Sequence, residues 1–174
     1  MPAIAIVGAG PGLGASIARV FGRHGFDVAL ISRHKDKLAG LAAGLAAEGI
    51  TGQGFAADVT DPASLTAALH AAAGALGQIE VLEFSPYAGL IQVSPADVTI
   101  GNLQPTIEEV LYGAVTATQA VLPAMLRAGS GTLLYTIGGG AISPYPFLAT
   151  LNAAQAGLRN WVHNLHATLA GQGV

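Results

Sequence analysis

The first residues with the types and spacing for chemistry are Gly8-Ala9-Gly10-Pro11-Gly12-Leu13-Gly14, between the apolar run Ala3 to Val7 and a helical pattern. Glycines let a chain turn sharply and let an anion approach the backbone amides, and a following helix N-terminus adds a favourable dipole. The chemistry this suits is phosphate binding. Two registers compete. The dinucleotide spacing G-x-G-x-x-G/A runs through Gly10, Gly12 and Ala15, whereas G-x-x-x-G-x-G runs through Gly8, Gly12 and Gly14. The second is preferred, because Gly8 directly follows the apolar run. The bland alternative is a tight turn in a chain holding 24 glycines.

The end of the second apolar run bears on the kind of nucleotide. Binders of NAD place an acid there to hold the ribose hydroxyls. This chain has Ser32 and Arg33, with His34, Lys35 and Lys37 close behind. A hydroxyl beside a guanidinium suits a 2′-phosphate through charge-assisted hydrogen bonds, so NADP(H) is expected over NAD(H). A positive cluster opposes the dipole of a helix start, which also points to an anionic partner; the alternative is an ordinary solvated helix start. A flavin dinucleotide is disfavoured, since the second strand lacks a terminal acid.

Other polar groups are weaker candidates. Glu83 is odd inside an apolar strand, where a buried carboxyl often signals a site, unless it sits at the strand's exposed end. Tyr87, Ser143 and Tyr145 fall in loops, with Tyr145 a weak catalytic candidate near the pocket mouth, but none has an adjacent lysine to activate it. His163 and His166 share a helix face without a nearby carboxylate, so no metal site is expected. Glu108 and Glu109 read as acids favoured by the dipole at the start of a long helix.

These residues are positioned by an alternation of short apolar runs and helical periods. Strands are predicted at Ala3–Val7, Phe26–Ser32, Gly52–Ala57, Ile79–Ser85 and Thr132–Ile137. Helices are predicted over 12–25, with Ile17, Val20 and Phe21 on one side, and over 35–48, stopped by Gly49. A third opens at Asp61-Pro62, with Asp as N-cap and Pro at the first position, and runs to about Leu76. Two more cover 104–127 and 148–170, after a loop of some twenty residues too long for a plain connection. Five strands alternating with helices predict an α/β fold, a Rossmann-type doubly wound parallel sheet with helices on both faces.

The sequence resembles the short-chain dehydrogenase/reductase family over all 174 residues. The resemblance is carried by the Gly8/Gly12/Gly14 loop, by Asp58-Val59 after the third strand, by Gly-Thr-Leu-Leu at 131–134 and by the helix from Gln155 to Leu169. It implies an NADP(H)-binding protein of the oxidoreductase class, with Asp58 and Val59 by the adenine; read alone, Asp58 is a simple loop cap. It also implies a tyrosine general acid/base assisted by a lysine, a serine and an asparagine, because a phenol of pKa about 10 needs a nearby cation to work at neutrality. The aligned positions hold Leu151 for Tyr, Gln155 for Lys, Gly138 for Ser and Val110 for Asn. Ser85 lies where the family's Asn-Asn-Ala-Gly stretch is replaced by Phe84-Ser85-Pro86-Tyr87. Gln155 can still hydrogen-bond ribose hydroxyls. Binding is therefore expected more firmly than ordinary catalysis, with a non-catalytic nucleotide-binding or scaffold protein as the alternative.

Composition frames these expectations. The chain is 52% hydrophobic but only 10% charged, against an ordinary charged share of about 25%, and its net charge is −3. That excludes disorder and broad attraction to nucleic acid or anionic lipid. The absence of cysteine removes disulfides and thiolate chemistry. The start lacks the basic residues of a secretory signal, and glycines and prolines interrupt the uncharged stretch 128–158, so no membrane span and a cytoplasmic location are expected. One domain, 1–174, is expected. It stops where the family would begin a sixth strand, so either a fragment or a homodimer or homotetramer is expected, paired through helices 104–127 and 148–170.

Overall fold

The computed structural model describes residues 1–87 and 89–174. At its centre is β1 (Ala3–Val7), whose five residues are all buried, as a continuous apolar run covered on both faces requires. It is flanked by β2 (Asp27–Ser32) and β4 (Ile79–Phe84), with β3 (Gly52–Ala56) and β5 (Thr132–Tyr135) outside them. All pairings are parallel, in the order β3-β2-β1-β4-β5. The α/β doubly wound reading therefore holds, and strand limits differ from expectation by a residue or two.

Alternation along the strands builds a core on each face. Ala5, Val7, Leu82 and Phe84 meet α3 (Pro62–Leu76), α5 (Gly113–Ala128) and α6 (Ala149–Leu169). Ile4, Ile6, Leu30 and Val81 meet α1 (Leu13–Arg23) and α2 (Lys35–Ala47). Small residues let these layers close up: a Cβ on Gly54 of β3 would lie 2.6 Å from Leu38 of α2. On α1 the buried residues are Gly14, Ala15 and Ala18, while Val20, expected on the inner side with Ile17 and Phe21, is 54% exposed.

Two elements depart from expectation more deeply. The long helix begins with α4 (Ile100–Ile107), not at Gln104, because Thr99 and Asn102 form a reciprocal capping box and Pro105 is accommodated within the turn. A π turn, Glu108–Tyr112, then joins α4 to α5. Glu108 and Glu109 therefore lie inside the helix and not at its start. The long loop before α4 carries a 3-10 turn at Pro95–Asp97 and is tied to the start of α6 by a bridge between Val93 and Leu148. No helix among the described residues is long and apolar enough to cross a membrane.

Candidate functional site

A cleft of about 830 Å³ opens at the carboxyl ends of β1, β2, β4 and β5. It lies where the strand order departs in opposite directions from β1, the place where open parallel sheets hold ligands. Its volume is in the range of small-molecule and cofactor sites.

The glycine loop forms one wall. Gly8 and Ala9 donate to the Ile31 carbonyl at 2.9 and 3.0 Å, and Ser85 donates to the Val7 carbonyl at 2.9 Å, so the loop after β1 is tied to the end of β2 and the loop after β4 to the end of β1. Gly8 has φ +98°, and a Cβ there would stand 2.6 Å from the Pro86 nitrogen and the Ser85 carbonyl carbon. A Cβ on Gly14 would approach the Ala9 Cα to 3.0 Å. A Cβ on Gly12 would meet nothing within 4 Å beyond its own chain neighbours, and one on Gly10 only the Gly8 carbonyl oxygen at 3.9 Å. Gly8 and Gly14 thus answer to the fold, whereas the open space at Gly12 is a cradle that a Cβ would narrow. Gly12 is also the N-cap of α1, which has no side-chain cap and no acid in its first turn. Leu13 completes this wall.

The second wall is basic. Ser32, Arg33, His34 and Lys37 line the cleft beyond β2. Asp58, Val59 and Thr60 face them. The Asp58 carboxylate accepts the backbone N–H of Thr60 at 2.9 Å and its hydroxyl at 2.8 Å. These bonds, the backbone one first, hold its pKa below the usual value, with a smaller contribution from the Arg33 charge. Asp58 is therefore a loop cap, as its local sequence reads, and also a cleft residue.

The inner end brings together the four positions that the resemblance aligns with the family's catalytic residues. Val110, Gly138, Leu151 and Gln155 all line the cleft, with Ser85 and Tyr87. The Gly138 N–H donates to the Gln155 Oε1 at 3.0 Å, so the amide occupies the space beside the glycine. A Cβ on Gly138 would lie 3.1 Å from that oxygen. The π turn brings Glu109 and Val110 to the cleft, consistent with the tendency of such turns to sit at functional sites.

Sequence reasoning missed two groups here and left Glu83 open between a buried carboxyl and an exposed strand end. Glu109 was assigned to a helix start, and Thr136 had no signal of its own. Glu83 is not at an exposed strand end but 1% exposed between β1 and β5. Its Oε2 accepts the Ser85 hydroxyl and its Oε1 the Thr136 hydroxyl, both at 2.9 Å. Burial pushes its pKa up, and the two hydroxyl donors partly oppose that.

The remaining candidates lie elsewhere. Tyr145 is outside the cleft lining and 49% exposed, its ring beside Phe147. Ser143, His163 and His166 are exposed. Among the described residues, no group of three or more His, Cys, Asp or Glu could hold a metal ion.

A family model described as short chain dehydrogenase matches residues 2–174. D-threitol dehydrogenase of Mycolicibacterium smegmatis is 34% identical over 74% of this chain and 49% of its own length. 2-(S)-hydroxypropyl-CoM dehydrogenase 3 of Xanthobacter autotrophicus is 31% identical over 98% of this chain and 67% of its own. Among solved structures, L-sorbose reductase of Gluconobacter frateurii, complexed with NADPH and L-sorbose, superposes with a TM-score of 0.91 at 21% identity, covering 98% of this chain and 65% of that one. The chain spans about half to two thirds of the length of these proteins.

Proposed function

This chain belongs to the short chain dehydrogenase family, and from that premise we propose that it is a single NADP(H)-binding domain of the oxidoreductase class whose usual proton-transfer residues are replaced. The observation that carries this reading is the single cleft, which gathers Gly8, Gly10, Gly12, Leu13, Gly14, Ser32, Arg33, Asp58, Val59, Ser85 and Gln155. When bound, the nicotinamide supplies or accepts a hydride. The glycine-loop amides and the N-terminus of α1 hold the pyrophosphate, Ser32 and Arg33 take the 2′-phosphate, and Asp58 and Val59 border the adenine. Gln155 spends its oxygen on Gly138 and keeps its amide hydrogens for ribose hydroxyls.

Leu151 has no proton to give, and Gln155 has no charge with which to acidify a phenol. Activity is therefore atypical or lost. The second reading, favoured by these same two positions, is a non-catalytic NADP(H)-binding regulator or scaffold. A cytoplasmic setting goes with both. A homodimer or homotetramer through the helical segments 104–127 and 148–170 is part of the proposal, the first carrying an exposed Leu126.

Titration with NADP⁺ and NAD⁺ tests the assignment. Arg33→Ala is expected to weaken NADP⁺ by about tenfold or more, as loss of a charge-assisted hydrogen bond implies, and NAD⁺ by less than about twofold. Equal losses would refute the role of Arg33, and failure of both nucleotides to bind would leave only the fold.

A further inference from the structure

Glu83 is a buried ionisable group that the nucleotide reading leaves without a task, although both of its hydrogen-bond partners line the cleft. A hydroxyl carries one hydrogen and two lone pairs. Ser85 and Thr136 each give that hydrogen to Glu83, one to each carboxylate oxygen, and both residues line the cleft. What they offer toward a ligand is therefore lone pairs. Gln155, at the same end, has its oxygen engaged by Gly138 and its donors left over.

We infer that Glu83 is a positioning residue: by taking both hydroxyl hydrogens it makes Ser85 and Thr136 fixed acceptors, and the inner cleft recognises ribose hydroxyls by donating through Gln155 and accepting at Thr136 and Ser85. A ribose hydroxyl, being donor and acceptor at once, matches both sets. The inference rests on the nucleotide reading and deepens it. Protonating Glu83 would reverse one of its bonds, turning a hydroxyl hydrogen into the cleft against the ligand's own hydrogen.

Few other charges act on Glu83. Its strand neighbours are Ile6 and Leu134, and Arg19 and Arg23 of α1 are engaged by Glu48. The other ionisable groups of the cleft are Arg33, His34, Lys37, Asp58, Tyr87 and Glu109. The Glu83 shift comes first from burial, which raises it, and then from the two hydroxyls, which oppose that.

The test compares NADP⁺ affinity of the wild type and Glu83→Gln from about pH 8 to about pH 5, below which ordinary carboxyls titrate. The glutamine keeps the shape but must donate to one hydroxyl, so about fivefold weaker binding is expected at the higher pH. The wild type should lose its advantage as pH falls through the raised Glu83 value. Titration of the nucleotide's own phosphate is common to both proteins and cancels. Thr136→Ser should keep the wild-type affinity and pH profile, whereas Thr136→Val should lose both. A merely structural Glu83 would change stability without changing the pH profile of binding. Equal affinities and parallel profiles for wild type and Glu83→Gln would overturn the inference alone. Absence of binding by the wild type would overturn the nucleotide reading and the inference with it.

Discussion

Gly8 and Gly12 separate two demands that one loop must meet. Gly8→Ala places a methyl group against the Pro86 and Ser85 backbone at φ +98°, so it should cost roughly 2 kcal/mol or more in urea unfolding. Gly12→Ala meets nothing, and should cost under about 1 kcal/mol of stability while weakening NADP⁺ by about tenfold or more. If both variants lose stability equally, the cradle at Gly12 serves the fold and not a ligand. Glu83 gives a second prediction. Its native pKa is raised by burial, so the native state holds this proton more tightly than the unfolded one. Wild-type stability relative to Glu83→Gln should therefore fall as pH rises from the ordinary carboxylate value through the raised one, then level off. Denaturant unfolding at several pH values measures it; a rising difference would show that the carboxylate is stabilised instead. Glu83 also shows where sequence reading ran out. Its oddity in an apolar strand was legible, but the hydroxyl partner contributed by Thr136 lies far along the chain and no local pattern joins them.

At the scale of elements, most boundaries were legible because each carries its own chemistry. Asp61 accepts the amides of Ala63 and Ser64 at 3.0 and 3.1 Å, with Pro62 behind it, as the Asp-Pro pair implied. Asp61→Ala should lower stability by about 1 kcal/mol in urea unfolding and leave NADP⁺ affinity unchanged. The start of α4 was illegible for an equally local reason. Pro105 reads as a stop, and a capping box that uses Asn102 at its third position lacks the usual Glu or Gln. The π turn had no sequence signature at all, so the placement of Glu109 in the cleft could not be foreseen. The glycine loop and Ser32-Arg33 were legible as cleft residues because they sit at the ends of β1 and β2, which the hydrophobic pattern marks.

At the scale of the whole molecule, the cleft lies between segments distant in the chain, and a ligand there couples to the global fold. NADP⁺ at about a hundred times its Kd should add about 2.7 kcal/mol, raising Tm by roughly 5–10 °C for a chain of this size. A thermal scan with and without nucleotide checks this, and an unchanged Tm would count against the proposal. The strand order has a consequence for how the molecule assembles. Ala3 pairs with Asp27 on one side of β1 but with Ile79 on the other. The first pairing closes a short stretch of chain; the second must wait until a much longer one has been gathered in. The glycine loop and Arg33 can thus take shape on the emerging N-terminal half while Ser85, Thr136 and Gln155 are still absent. The seam between β1 and β4 joins the N-terminal half of the fold to the rest, and nucleotide affinity should appear only once that seam has closed and β5 and α6 have been added, which makes binding a reporter of the joining of the two halves.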